Sequence, residues 1–364
     1  MRRPIALCVL LSLVVTLAGV VWATEDEDIV VRREAARGFA TLPDEARFPE
    51  GIAANPETGD IFVGTFDFGP NSNKLLRFRK SGRLAAQRDF GNTPLLGLAF
   101  NPLDGKVYIA NVGALVGGAS KIQRIAANFT RTSAIEDVAI IPSIGAPPDR
   151  TVGNPDGSED TITFGNNAPA PNALVFNAAG DLFVSDSFQG AIFKIANVHT
   201  CPGGCPVTTV KHDGLLATAG FPPFGANGLA LSSDETTLFI ANTGDDRILR
   251  MEIASGDIAV FAESINGADG IAFGKDGRLW VAANQADEVV ALNDVGRVVA
   301  KLGDFLGIRR DGSVRGLLFP ASLAIVDNEI FVTNLALPLN GVNGDEPEED
   351  VTTYTVSRIH IPTH

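Results

Sequence analysis

The chain has 364 residues, with 29 Lys and Arg against 43 Asp and Glu, for a formal net charge of −14. A surface of that sign repels phosphate backbones and anionic lipid, which excludes nucleic-acid binding and attachment to membrane surfaces as primary functions. Length alone would suit two domains, but large all-β barrels and propellers reach this size as one unit.

In chain order, Arg2 and Arg3 precede a nearly unbroken apolar run over 4–22, and Val21-Trp22-Ala23 leads into the acidic stretch 24–28. A positive start, an apolar centre and a small residue at the junction describe a secretory signal peptide, residues 1–23, cut after Ala23. An uncleaved signal anchor is the alternative, because the run is almost long enough to span a bilayer. The protein is therefore expected to be exported, periplasmic or secreted, with residues 24–364 as one domain and no further membrane span.

From residue 49 onward one pattern occurs six times. Each copy opens on a short apolar strand: Pro49-Glu-Gly-Ile-Ala53, Leu95-Leu-Gly-Leu-Ala99, Pro171-Asn-Ala-Leu-Val175, Ala226-Asn-Gly-Leu-Ala230, Ala268-Asp-Gly-Ile-Ala272 and Pro320-Ala-Ser-Leu-Ala324. In most copies a turn with Gly, Asp or Asn follows, then a second strand of the type Ile61-Phe-Val-Gly64 or Leu279-Trp-Val-Ala282. Turn residues between two apolar runs mark a hairpin. Third strands at 74–78, 121–125, 191–195, 247–251, 288–292 and 357–361 alternate apolar with polar residues, as half-buried strands do. A fourth strand is readable after the first five copies, for instance at 84–90, 258–263 and 297–302, but not after the sixth.

Six repeats of a four-stranded unit predict an all-β fold, a six-bladed β-propeller. The last blade lacks its outer strand, and 28–39 is an unassigned strand-like stretch. The ring is thus expected to close through an N-terminal strand that completes the last blade, which leaves no long open sheet edge. Two insertions interrupt the spacing. The one at 144–170 leads into the third inner strand and is expected to roof the channel; the one at 335–353 reads as a solvated acidic loop.

In a propeller the first strand of each blade lies nearest the axis, so equivalent positions form a ring. That ring reads Glu50, Leu96, Asn172, Asn227, Asp269, Ala321, and the residue after each is small: Gly51, Gly97, Ala173, Gly228, Gly270, Ser322. Glu50, Asn172, Asn227 and Asp269 offer two carboxylates and two amide oxygens, a donor set for Ca2+ or another divalent cation, with waters or substrate completing the shell. Leu96 and Ala321 form an apolar channel wall. The absence of His and Cys from the ring disfavours zinc and copper. The plainer reading has these groups bonding only channel water and one another.

Cys201 and Cys205 are the only cysteines after the leader, and in an exported protein they are expected to form a local disulfide. The alternative is a zinc site with His199 and His212, at a spacing that matches no standard pattern.

On the motifs Pro49-Glu50-Gly51, Pro171-Asn172-Ala173, Ala226-Asn227-Gly-Leu229, Ala268-Asp269-Gly-Ile271 and Val184-Ser-Asp-Ser187, the chain resembles the calcium-dependent propellers that include regucalcin, gluconolactonase and luciferin-regenerating enzyme. The resemblance spans nearly the whole mature chain. It implies a catalytic Ca2+ on Glu50, Asn172, Asn227 and Asp269, and hydrolysis of a small-molecule lactone or ester by a monomer. Asp269 would then act as nucleophile or general base. The chain departs from the family at Ala170, where lactonases of this kind carry Arg, and at Ala321, where some relatives carry His. Both departures point to a less polar substrate than a sugar lactone. The other class of function is a non-catalytic propeller similar to NHL or YVTN repeat proteins, which binds a partner and keeps the ion as a structural plug. Ile109-Ala-Asn-Val112 and Ile240-Ala-Asn-Thr243 carry that second likeness.

Overall fold

The computed structural model describes residues 29–340 and 344–362. The leader expected at 1–23 lies outside them. Among the described residues no helix is long and apolar enough to cross a membrane.

Most described strands form six antiparallel blades in which inner, second and third strands follow one another in chain order, as does the outer strand in the first five. The inner strands are Pro49–Ala54, Leu95–Asn101, Pro171–Phe176, Ala226–Leu231, Ala268–Phe273 and Pro320–Val326. Each packs against the next around the whole circle, the sixth against the first, so the propeller is a closed ring. Both faces of a blade are covered by its neighbours, which is why the central strands read as continuous apolar runs rather than alternating ones. Six apolar clusters result, one at each blade interface; Phe62 and Val107 meet between blades one and two, Trp280 and Val332 between five and six.

The closing strand expected over 28–39 divides in two. Arg37–Thr41 pairs antiparallel with Thr355–His360 and supplies the outer strand of blade six. Val30–Arg32 instead pairs parallel with Val298–Leu302 at the rim of blade five, and the short turn Arg33–Ala35 carries the chain between them. Buried Ala36, Ala40 and Leu42 hold this segment in place. One stretch of chain therefore clips two blades together.

All six inner strands carry a register shift at the same point, between the first residue and the fourth: Pro49 and Ile52, Leu95 and Leu98, Pro171 and Leu174, Ala226 and Leu229, Ala268 and Ile271, Pro320 and Leu323. A bulge frees two residues from the ladder and re-aims them. Those two are the ring residue and the small residue after it.

A chain beginning at Leu42 would leave Thr355–His360 as an open edge. We expect it to melt at least ~5 °C lower than a chain beginning at Thr24 and to aggregate. Calorimetry with light scattering checks this; an unchanged melt would show that the N-terminal strand does not close the ring.

Candidate functional site

The small residues after the ring positions are required by backbone contact. A methyl group on Gly51 would overlap the carbonyl of Leu96, one on Gly97 that of Asn172, and one on Gly228 that of Asp269. Hydroxyls from second strands bridge the same gaps. Ser185 Oγ accepts from Ala173 N at 2.8 Å and donates to Asn227 O at 2.7 Å; Thr333 Oγ1 accepts from Ser322 N at 3.0 Å and donates to Glu50 O at 2.8 Å.

This packing brings Glu50, Asn172, Asn227 and Asp269 together with Leu96 around one pocket of about 380 Å3, part of it open to solvent. Ala321 is fully buried beside the pocket, packed with Phe319 and Leu335 rather than lining it. Above the ring the walls are Phe66, Pro222, Phe224, Phe319, Leu335, Leu337 and Leu339. The roof thus differs from expectation: among the described residues it comes from the connection between blades three and four and from the start of the 335–353 insertion, with nothing from 144–170. The earlier insertion forms an exposed hairpin, Arg150–Gly153 with Glu159–Ile162, that leans on blade four through Arg150 and Asp245 at 3.8 Å. Its buried aromatic residue, Phe164, packs beside Gly214 rather than over the channel. In the later insertion, by contrast, the leucines turn to the axis and the acidic residues 345–350 stay at the surface.

A second tier, missed from sequence, stands one position beyond each second strand's partner of the pre-ring residue. It reads Phe66, Val112, Ser187, Thr243, Asn284, Leu335, apolar in blades six, one and two and polar in three to five. The repeat offset that located the ring would have located this tier. Asn172 Nδ2 donates to Ser187 Oγ at 3.0 Å, Asn227 Nδ2 to Thr243 Oγ1 at 2.9 Å, and Asn284 Nδ2 to Asp269 Oδ2 at 3.0 Å. With its nitrogen tied back, each ring asparagine keeps its oxygen for the pocket.

The carboxylates are unusually placed. Glu50 and Asp269 are 3% and 4% exposed, and Glu50 Oε2, Asp269 Oδ1 and Asn284 Oδ1 are buried with no partner. Burial first, and then the negative Asp269, hold the Glu50 carboxyl well above the usual carboxylate range. Burial pushes Asp269 up to about 7, against the amides of Asn284 and Asn227, which pull it down. Asp186 shows the contrast. It is equally buried, yet Oδ1 accepts from Phe188 N and Gln189 N, and Oδ2 from Ala170 N and Gln189 Nε2, which makes it a loop anchor.

Unpartnered buried oxygens converging on an axis fit an oxygen-seeking divalent cation, and two carboxylates match its charge. Among the described residues no group of three or more His, Cys, Asp or Glu gathers to hold a metal, so any such centre rests on two acids completed by amides. The Arg absent at Ala170 has no substitute there, since that residue is fully buried and engaged only through its backbone. Cys201 and Cys205 are joined in a disulfide, with Cα atoms 6.0 Å apart, which removes the thiolates that the zinc alternative needed. Cys205 N donates to Val138 O, and Arg124 donates to Val198 O and Cys201 O, so the disulfide loop fastens blade three to blade two.

Residues 209–303 match the family described as the SMP-30/Gluconolactonase/LRE-like region. Among solved structures, a calcium-binding regucalcin from Agrobacterium tumefaciens superposes with a TM-score of 0.61 at 16% identity, over 91% of this chain and 95% of that one. Luciferin-regenerating enzyme gives 0.59 at 13%, over 88% and 94%. A gluconolactonase from Xanthomonas campestris gives 0.53 at 15%, over 88% and 89%. No curated protein matches the sequence. The chain thus resembles this family in the six-bladed fold over nearly its full length and in sequence over blades four and five.

Without a cation the site costs stability in a pH-dependent way. The folded protein keeps protons on Glu50 and Asp269 that the unfolded chain, with an ordinary Asp value of 3.8, has already lost. Folded stability is therefore greatest below pH ~4 as far as these groups are concerned, and falls as pH rises through about 7. In EDTA, Asp269→Asn should raise the melting temperature at pH 8 by several degrees and change it little at pH 4. Equal shifts at both values would refute this.

Proposed function

We propose that this protein is an exported, metal-dependent hydrolase of lactones or esters, acting as a monomer on a substrate less polar than a sugar lactone. One observation carries the reading: two buried acids with unpartnered oxygens lie beside two amides at the base of an apolar pocket. The likeness to gluconolactonase and regucalcin supports it.

Glu50, Asn172, Asn227 and Asp269 would hold the cation, Ca2+ or a similar ion. Bound there, it would supply a Lewis acid that polarises the carbonyl oxygen of the substrate. The remaining work belongs to the chain. Phe66, Phe224, Phe319, Leu335 and Leu337 exclude water and take the apolar part of the substrate. Asp269 Oδ1, the oxygen that no donor occupies, attacks the carbonyl carbon or takes the proton of the attacking water. Asn284 holds the other oxygen still. The left-handed backbone of Phe48 (φ 53°) and Phe319 (φ 45°), just ahead of the inner strands of blades one and six, is costly for bulky residues. It places two rings against the apolar side of the channel.

Export follows from the leader at 1–23 and suits the disulfide. An acidic surface disfavours nucleic acid, and the apolar pocket above the ring favours a small molecule as the partner.

Ca2+ added to EDTA-stripped protein should bind and switch on hydrolysis of long-chain lactones at least ~10-fold faster than of gluconolactone. Asp269→Asn and Glu50→Gln should each lower kcat/KM by ~100-fold or more. Cation binding with no turnover across a broad ester and lactone panel would overturn the hydrolase and favour a partner-binding propeller.

A further inference from the structure

Three of the four ring donors are held by the residue at the same offset in their own blade, and the chemistry of the holder is matched to the donor. An amide whose oxygen must face the axis is tied through its nitrogen to a hydroxyl: Asn172 to Ser187, Asn227 to Thr243. A carboxylate has no hydrogen to give and is tied by an amide hydrogen instead, Asn284 Nδ2 to Asp269 Oδ2 at 3.0 Å. The two hydroxyls pass their own hydrogens to Ala226 O and Ala268 O of the following blade, each at 2.7 Å, and so are spent on the scaffold.

Asn284 is different. It is 2% exposed and its Oδ1 has no partner. Its position is nevertheless fixed. Asn284 N donates to Gly267 O at 2.9 Å, and Gly267, at φ 63°, leaves the space that this oxygen occupies, because a methyl group there would overlap it. The oxygen of this buried amide rests against Gly267, and that leaves its nitrogen aimed at Asp269 beside the pocket both residues line.

We propose that Asn284 is a positioning residue for the axial centre: it fixes Asp269 Oδ2 so that Oδ1 is the oxygen offered to the axis. The inference rests on reading the ring as a divalent-cation site, and it assigns to the second tier the work of orienting the ligands.

Two substitutions test it. Asn284→Leu keeps nearly the shape of the amide and removes its donor; Thr243→Val keeps the shape of the threonine and removes the hydroxyl that holds Asn227. Ca2+ is titrated calorimetrically into EDTA-stripped protein, and melts are recorded in EDTA. We expect Asn284→Leu to bind Ca2+ at least ~10-fold more weakly than wild-type protein, with similar melts. Thr243→Val should shift the affinity in the same direction, and it decides if Asn284→Leu does not fold. Wild-type Ca2+ affinity in both variants would overturn the positioning role alone. Wild-type protein that takes up neither Ca2+ nor Mg2+ would overturn the reading of the ring and this inference with it.

Discussion

Six inner strands can surround an axis narrow enough for one small site only if the backbone of each lies against the backbone of the next, and at that distance only a very small residue fits between them. Gly51, Gly97, Gly228 and Gly270 occupy those contacts, and Ser185 and Thr333 stitch neighbouring strands across them. The six matching bulges belong to the same constraint. Freed from the ladder, the ring residue turns to the axis and the small residue behind it admits the next blade. The pocket, its polar sector and its apolar wall are all consequences of that spacing.

The ring would be an awkward feature of a merely structural axis. Two acids are buried within electrostatic reach of each other, and each keeps an oxygen without a partner. The same fold shows at Asp186 how it satisfies a carboxylate that serves only to hold a loop, with donors to both oxygens. Leaving Glu50 and Asp269 short of donors disfavours their charged forms and so costs stability, the usual trade at sites kept for binding or chemistry. The asymmetry of the second tier adds direction. Blades three to five present hydroxyls and an amide, whereas blades six, one and two present Leu335, Phe66 and Val112, so a bound molecule would find one polar and one apolar side.

Much of this was legible because a propeller repeats. Third strands, inner strands and ring positions fall where the six-fold register put them, and the four ring donors meet in one pocket with Leu96. What escaped was whatever does not repeat. The stretch at 28–39 carries one apolar pattern but serves two blades, and no local signal divides it at Arg33–Ala35. The insertion at 144–170 reaches the right strand to be a roof and yet lies against blade four, burying Phe164 beside Gly214, while Leu335, Leu337 and Leu339 bury their side chains over the channel. Asn284 was overlooked although it sits at a repeat position, because the apolar second-strand pattern that marks the repeat ends at Ala282, two residues before it.

By itself, then, the sequence determined the number of blades, the closure through the N-terminus, the residues facing the axis and the departures at Ala170 and Ala321. Period and register are local properties, copied six times, and a single chain displays them. Only the tertiary structure decided that Ala321 is buried beside the pocket rather than exposed within it, which loops cover the mouth, and that Asn284 reaches Asp269. These depend on how far one backbone stands from another and on which buried atoms are left without a partner, and neither quantity exists until the ring has closed.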